Sequence, residues 1–315
     1  MAVSNLNEFT LVKNQIIKEA LREIEACSAD REPTSNDLVI ASTKLNMMAK
    51  SWENKSDYPW KRTEGFLFVN TSTNGYILDG STAHATENFD QTTTTVIASS
   101  GASLITISST IGFVVGYNIG VVQDDSTILW TTITTISGSD ITLNTTLTNG
   151  VAIGNKIYVY QTKINKPQAI DSTRLSLTTS NLETSINSID QLTYRNLSNK
   201  KTVGTPNQYY YEKLRSSGVL YLYQQPDSDS NYIINFTFQK PLFDFNNPTD
   251  DADFPVEWLS ALVKNLAYEL ARGYGKSSEF SEILKRDADN LFEEAIGADK
   301  SNASIYFQPV NNENY

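Results

Sequence analysis

The sequence predicts an α+β chain in which N- and C-terminal helical hairpins form a helical core with a short β-meander, and an all-β domain, a small barrel or sandwich, is inserted into it. Three observations predict this. Apolar residues recur at helical spacing only near the two ends of the chain. No Lys or Arg stands between Arg62 and Lys156, where Thr, Ser, Ile, Val and Gly crowd into short β-branched runs. The stretch after Lys166-Pro167 alternates apolar and polar residues.

The N-terminal hairpin begins between Leu11 and Cys27, where Leu11, Ile16, Ala20, Leu21 and Ile24 fall on one helical face behind a Thr10 cap. After the breaker EPTSND, Leu38, Ala41, Leu45, Met48 and Trp52 step by three and four, so a second helix folds back on the first. Residues 66–78 read as extended chain around an Asn74-Gly75 turn of the two-residue hairpin kind. The runs TTTTVIAS, SLITISS, GFVVGYNIGVV, TILWTTITTIS, DITLNTTL and NKIYVYQT each end in Gly, Asn or Asp or close to one, and together define the inserted domain at 83–164. The remaining core is assigned to 1–82 and 165–303. Within it, VLYLYQ and YIINFTF predict an antiparallel meander across the turn-like PDSDS. Asp253 and Pro255 open a helix carrying Trp258, Leu262, Leu266 and Leu270, which ends at Gly273 or Gly275. A last helix over 278–298 aligns Phe280, Leu284, Ala288, Leu291 and Ala295. The segment 304–315 has no helical pattern and is expected to be an extended docking tail.

Composition narrows the chemistry. The chain has 315 residues, a net charge of -11, one cysteine and one histidine. A single Cys27 rules out an internal disulfide, and His84 alone leaves little for zinc or for histidine-based catalysis. No apolar run approaches the roughly 20 residues that span a bilayer, so no membrane partner is expected and the chain reads as a soluble cytoplasmic product. An acidic balance argues against wrapping nucleic acid, because each phosphate contact wants a cation.

The motifs that could carry catalysis are weak. The glycines of Ile111 to Gly120 are too widely spaced for a dinucleotide fingerprint and read as turns between strands. Asp250, Asp251 and Asp253, like Asp124 and Asp125, lack the ligand spacing of a calcium loop and read as solvated acidic loops with a helix cap. Cys27 reads as a packed thiol and His84 as a surface-loop residue. Glu257 and Glu269 as a glycosidase pair would stand roughly 18 Å apart along one helix, beyond the reach of such a mechanism. No catalytic residue, metal or cofactor is therefore expected, and the protein is not expected to be an enzyme. The aromatic surplus, notably Tyr209, Tyr210, Tyr211, Tyr221 and Tyr223, suits a core or an interface. Nearby Lys200, Lys201, Lys213 and Arg215 add a modest positive patch.

Four tracts together carry a resemblance: LNMMAKSW, KPQAIDSTRL, NKKTVGTPNQYYYEKLRSSGVLYLYQQPD and DFPVEWLSALVKNLAYELARGYG. Over residues 10–80 and 165–305 the chain resembles the head-to-tail adaptor family of short-tailed bacteriophages, also called head-completion, tail accessory or packaged-DNA stabilisation proteins. The resemblance implies a virion structural protein made in the host cytoplasm and placed in the neck between capsid and tail. It implies a cyclic ring of about twelve copies, docked on the portal protein and followed by a downstream tail or nozzle protein. Double-stranded DNA would pass through transiently, without sequence-specific binding, and the ring would help retain the packaged genome. Ser304, Ile305, Tyr306, Phe307, Gln308 and Pro309 match the family's segment that docks on the portal or a neighbouring copy. Asp244, Asp250 and Asp251 are candidates for acidic channel or loop positions. A tail-associated module that binds glycan or the host surface through Tyr221 and Tyr223 remains as an alternative.

Overall fold

The computed structural model describes residues 9–28, 31–53, 55, 58–180 and 182–299. In chain order the elements are α1 (Lys13–Glu23), α2 (Ser35–Glu53), β1 (Arg62–Phe68), β2 (Gly75–Leu78), β3 (Ala85–Thr86), β4 (Asp90–Thr93), β5 (Leu104–Thr106), β6 (Asn118–Val122) and β7 (Ile128–Ser137). They continue with β8 (Asp140–Leu143), β9 (Lys156–Tyr160), β10 (Ala169–Leu177), β11 (Glu183–Ser188), α3 (Gln191–Asn196), β12 (Gln208–Lys213), β13 (Gly218–Tyr223), β14 (Tyr232–Gln239), α4 (Leu259–Ala271) and α5 (Ser278–Asp299). Arg62–Pro241 form one compact unit, and the described residues on either side of it form another.

The helical unit is built from α1, α2, α4 and α5. Each contributes the stripe its sequence period requires: Ile16, Ala20 and Leu21 from α1, Ala41, Leu45 and Trp52 from α2, Leu262, Leu266 and Leu270 from α4, and Leu284 and Ala295 from α5 are all buried together. Indole and phenyl rings fill the centre. Trp258, fully buried, lies 5.8 Å from Trp52, 5.0 Å from Tyr58 and 5.6 Å from Phe292, centroid to centroid. Burying one such side chain contributes about 1.5–3 kcal/mol. The segment before α4 is tied to the hairpin through its backbone. Asn46 accepts from Phe245 N at 2.9 Å and donates to Phe245 O at 3.1 Å, and Glu53 accepts from Leu242 N at 2.9 Å. Asp253 accepts from Phe243 N at 3.2 Å instead of capping the helix, and a 3-10 turn over Val256–Trp258 leads into α4.

The strand unit holds two curled sheets. The larger has eight strands in the order β2-β13-β12-β11-β10-β14-β1-β3, and the smaller has six in the order β4-β9-β6-β7-β8-β5. All neighbours in the first sheet are antiparallel except β11 and β12. It curls around its own core of Leu67, Tyr76, Leu175, Tyr209, Leu220, Leu222, Ile234 and Phe236. The second sheet closes on Ile105, Ile119, Val121, Ile133, Ile141, Ile157 and Val159. Between the two sheets, Phe68, Tyr158, Tyr160 and Ile233 form a further buried cluster with Phe66, Phe89 and Trp130 packed against it.

This corrects the expected fold class. The chain is α+β, but strands dominate it, and the helices do not form a core to which a short meander is appended. The physical reason lies in pairing. β1, β10 and β14, read separately as extended pieces, form one continuous ladder in which Phe66 and Arg174 flank Asn235, and Phe68 and Ser176 flank Ile233. Two local pairings are corrected with it. The Asn74-Gly75 turn makes no hairpin, because β1 pairs with β14 and β3 while β2 pairs with β13. Strands β13 and β14 are consecutive in sequence yet not neighbours, since β12 and β2 flank β13. Gly120 is not a turn glycine either. It sits in β6 directly opposite Trp130, where a Cβ would lie 2.6 Å from the indole ring.

Candidate interaction surfaces

The sequence-selected acidic positions lie in the segment leading to α4. Asp250 accepts from the backbone N–H of Asn246 at 2.8 Å and of Asn247 at 2.6 Å, and these bonds, the Asn247 one foremost, hold its carboxyl below the usual range. Its own carbonyl accepts from Lys13 N at 2.8 Å, and Asp251 forms an isolated bridge with Val12. Asp244 pairs with Lys50 at 3.2 Å. The Asp250 carboxylate therefore shapes the loop, the backbone of Asp250 and Asp251 fastens it to Val12 and to α1, and the Asp244 carboxylate fastens it to α2. Ser304, Ile305, Tyr306, Phe307, Gln308 and Pro309 lie outside the described residues.

The aromatic surplus divides between the two faces of the eight-stranded sheet. Tyr209 and Tyr76 point into its core. Tyr211 packs against that core and donates to Pro167 O at 2.7 Å. On the opposite face Tyr210 stacks on its cross-strand partner Tyr221 at 5.9 Å with an 8° angle between rings. Tyr194, brought over them by α3, lies 5.5 Å from Tyr210 and 5.0 Å from Tyr221. Asp190 caps α3 by accepting from Thr193 N at 2.6 Å, and Lys200 lies 5.6 Å over the Tyr194 ring. Tyr221 also donates to Glu212 at 3.3 Å. Tyr210 and Tyr221 are nearly parallel and half-buried, and the buried Tyr194 ring packs on both at 28° and 35°, with the Lys200 ammonium over it. Sequence reasoning found Tyr210 and Tyr221 but missed Tyr194, although an Asp190 cap before Leu192 and Tyr194 was a readable signal for a short helix.

His84 is not a surface-loop residue. Its ring stacks on Trp130 at 4.2 Å and 11°, and its Nδ1 lies 2.5 Å from the Tyr160 hydroxyl. Burial, reinforced by the charge on Lys163, pushes its pKa down to about 3. A neutral imidazole locked between rings is a packing element and has no carboxylate to orient it as a base. Cys27 is buried and donates through its thiol to Arg31 O. Glu257 lies in the turn before α4, and Glu269, on α4, stands 3.8 Å from Lys44. Among the described residues no group of three or more His, Cys, Asp or Glu could hold a metal ion, and no helix is long and apolar enough to cross a membrane.

No family model matches the sequence, and no curated protein matches it. Among solved structures, VP17, a capsid protein of bacteriophage P23-77, is 13% identical over 57% of this chain and 82% of that chain, with a TM-score of 0.12. The complex of the two major capsid proteins VP16 and VP17 of the same bacteriophage is also 13% identical, over 57% of this chain and 84% of that one, again with a TM-score of 0.12. Likenesses of that size carry no argument about fold or role.

Proposed function

We propose that the chain is a structural protein of a phage virion and that it serves as a head-to-tail connector: a ring-forming protein that docks on the portal, continues the DNA channel and helps retain the packaged genome. One observation carries the reading. The tracts LNMMAKSW and DFPVEWLSALVKNLAYELARGYG, about two hundred residues apart, are two of the four that together resemble adaptor proteins, and their side chains Trp52, Phe254 and Trp258 meet in a single aromatic core with ring centroids 5.8 to 6.1 Å apart. A ring subunit of this kind draws its energy from buried interface and needs no active site.

The test mixes the full chain with the portal protein of the same virion and determines mass and symmetry by native mass spectrometry and electron microscopy. A closed ring with one copy per portal subunit is the expected result; a chain that stays monomeric beside an unoccupied portal overturns the reading. The stacked trio Tyr194, Tyr210 and Tyr221 favours a second reading, a tail-associated module that binds glycan or the host surface. Saturable binding on a glycan array, abolished by Tyr210→Ala with Tyr221→Ala, would establish it.

A further inference from the structure

The strand unit carries its charge unevenly. Residues 63–155 hold seven carboxylates and no Lys or Arg, whereas residues 191–226 hold five cations and a single carboxylate, Glu212. In a chain whose net charge is -11, the second stretch is a local pole of the opposite sign.

The acidic pole ends in an apolar tip. Thr94 accepts from Gly154 N at 2.9 Å through its carbonyl and donates from its hydroxyl to Ala152 O at 2.6 Å. Ala98 and Val151 exchange backbone bonds at 3.0 and 2.9 Å. The short segments between these ties bulge outwards together, and they carry Val96, Ile97 and Ile153, the last two 69% and 63% exposed. Asp124 and Asp125, both exposed, border the tip. Asp124 accepts from Ala152 N at 2.8 Å and Asn155 Nδ2 at 2.9 Å, and Asp125 accepts from Thr127 N at 3.1 Å and Asn149 Nδ2 at 2.6 Å. All four donors are neutral, so the fold orients these two charges without cancelling them.

The basic pole is built on α3. The stack of Tyr194 on Tyr210 and a hydrogen bond from Gln191 to Glu212 at 3.5 Å lay this helix on β12. Lys200 folds back over it, donating to Arg195 O at 2.9 Å and Leu197 O at 3.1 Å. Arg195, Lys201, Lys213 and Arg215 are exposed, and among the described residues none of them forms an ion pair. Leu192, Val203 and Leu214, interspersed with these cations, are exposed as well. Each pole thus combines uncancelled charge of one sign with aliphatic side chains facing water, and neither pole covers the other within the chain. A heterologous contact between identical subunits needs such a pair of unlike surfaces, with charge setting the register and apolar burial supplying the energy.

We infer that copies of this chain pack head to tail through their strand units, the apolar acidic tip around Ile97 and Ile153 of one copy seating on the basic α3–β12 surface of the next. The inference builds on the connector reading, in which copies adjoin one another, by naming the faces that meet. The test follows the full chain by sedimentation velocity and native mass spectrometry, without a portal, up to about 200 μM. The chain should assemble beyond a dimer as concentration rises, and assembly should recede between about 0.05 and 0.5 M salt as screening shortens the reach of the charges. Ile97→Ser with Ile153→Ser should abolish assembly from the tip, and Lys201→Glu with Lys213→Glu should abolish it from the basic surface. All four changes fall on exposed side chains, and circular dichroism checks that both variants are folded. Mixed one to one, the two variants should form heterodimers and nothing larger, because only one intact tip and one intact basic surface remain between them. A chain that stays monomeric throughout, assembly that survives in either variant, or a mixture that fails to pair would overturn the contact. The connector reading is judged separately. Variants that still ring the portal would remove the contact and leave the connector, whereas tip-to-surface pairing beside an unoccupied portal would do the reverse.

Discussion

The helical unit and the strand unit solve the problem of filling a core in opposite ways. In the helical unit large side chains interlock: Trp52, Tyr58, Trp258 and Phe292 meet ring to ring, and the space is closed by volume. In the strand unit large side chains are admitted where the backbone makes room. Trp130 lies over Gly120 because a Cβ there would stand 2.6 Å from its ring, and Phe236 lies over Gly65 with a Cβ distance of 2.8 Å. The difference teaches that truncation should break the first unit, and enlargement the second.

The largest expected effect is on the helical side. Trp258→Ala should cost about 3–5 kcal/mol, read as an earlier loss of helical circular dichroism in urea. An unchanged midpoint would show that the aromatic cluster is not what holds the four helices. On the strand side, Gly120→Ala should cost about 1–3 kcal/mol by overpacking, and combining it with Trp130→Leu should recover much of that loss. Additive losses in the double variant would break the comparison, because the ring would not be what the glycine accommodates.

A third, smaller effect follows from His84. Its folded pKa, about 3, lies below the unfolded value near 6.5, so the folded state binds fewer protons and the contribution of a neutral His84 is complete above pH 6.5 and is lost as pH falls towards 3. Between pH 6.5 and about 5.5, above the range where ordinary carboxylates titrate, stability should fall with acid by at most about 1.4 kcal/mol per pH unit. His84→Phe should flatten that slope in urea titrations, whereas a slope retained in the variant would assign it to another group. The smallest effect belongs to Asp250→Asn, which loses an exposed, turn-shaping carboxylate. Its small loss should be present at pH 7, where the wild-type carboxyl is ionised, and should vanish as acid protonates that carboxyl, held low by Asn247, so that the two stability curves converge below pH 4. A large change at neutral pH would mean that the loop organises the helical unit more than its exposure suggests.

Legibility in the sequence followed the same division. A helix reports its buried face through its own period, so Leu45, Trp52, Leu262 and Leu270 could be placed in the core before any partner was known. The β-branched runs between 83 and 164 likewise contain strands β5 to β9 and the end of β4, whereas β3 precedes them. A strand's period, however, reports which residues share a face and says nothing of which strand lies alongside. That is why VLYLYQ and YIINFTF, adjacent and similar, were paired with each other although β13 lies at one side of the larger sheet and β14 near the other. β11, with Ile186 as its single buried residue, offers almost no period to read. The tyrosine trio was two-thirds legible, since Tyr210 and Tyr221 sit in alternating runs while Tyr194 sits in a six-residue helix. The buried amide on β14 left one trace, a polar Asn235 amid the apolar residues of YIINFTF. Its burial and its unpaired oxygen depend on β1, β9 and β10 arriving on either side.

The placement of indoles has an optical consequence. Of the four tryptophans, Trp52, Trp60 and Trp258 belong to the helical unit and Trp130 alone to the strand unit. Excited at the red edge of tryptophan absorption, a triple Phe replacement at the first three would emit from Trp130 only, and that emission would come from an indole stacked flat on a neutral imidazole. Because a protonated imidazole quenches indole fluorescence and a neutral one does so far less, the chain carries a built-in emission probe whose brightness follows the opening of its strand unit and the protonation of its single histidine.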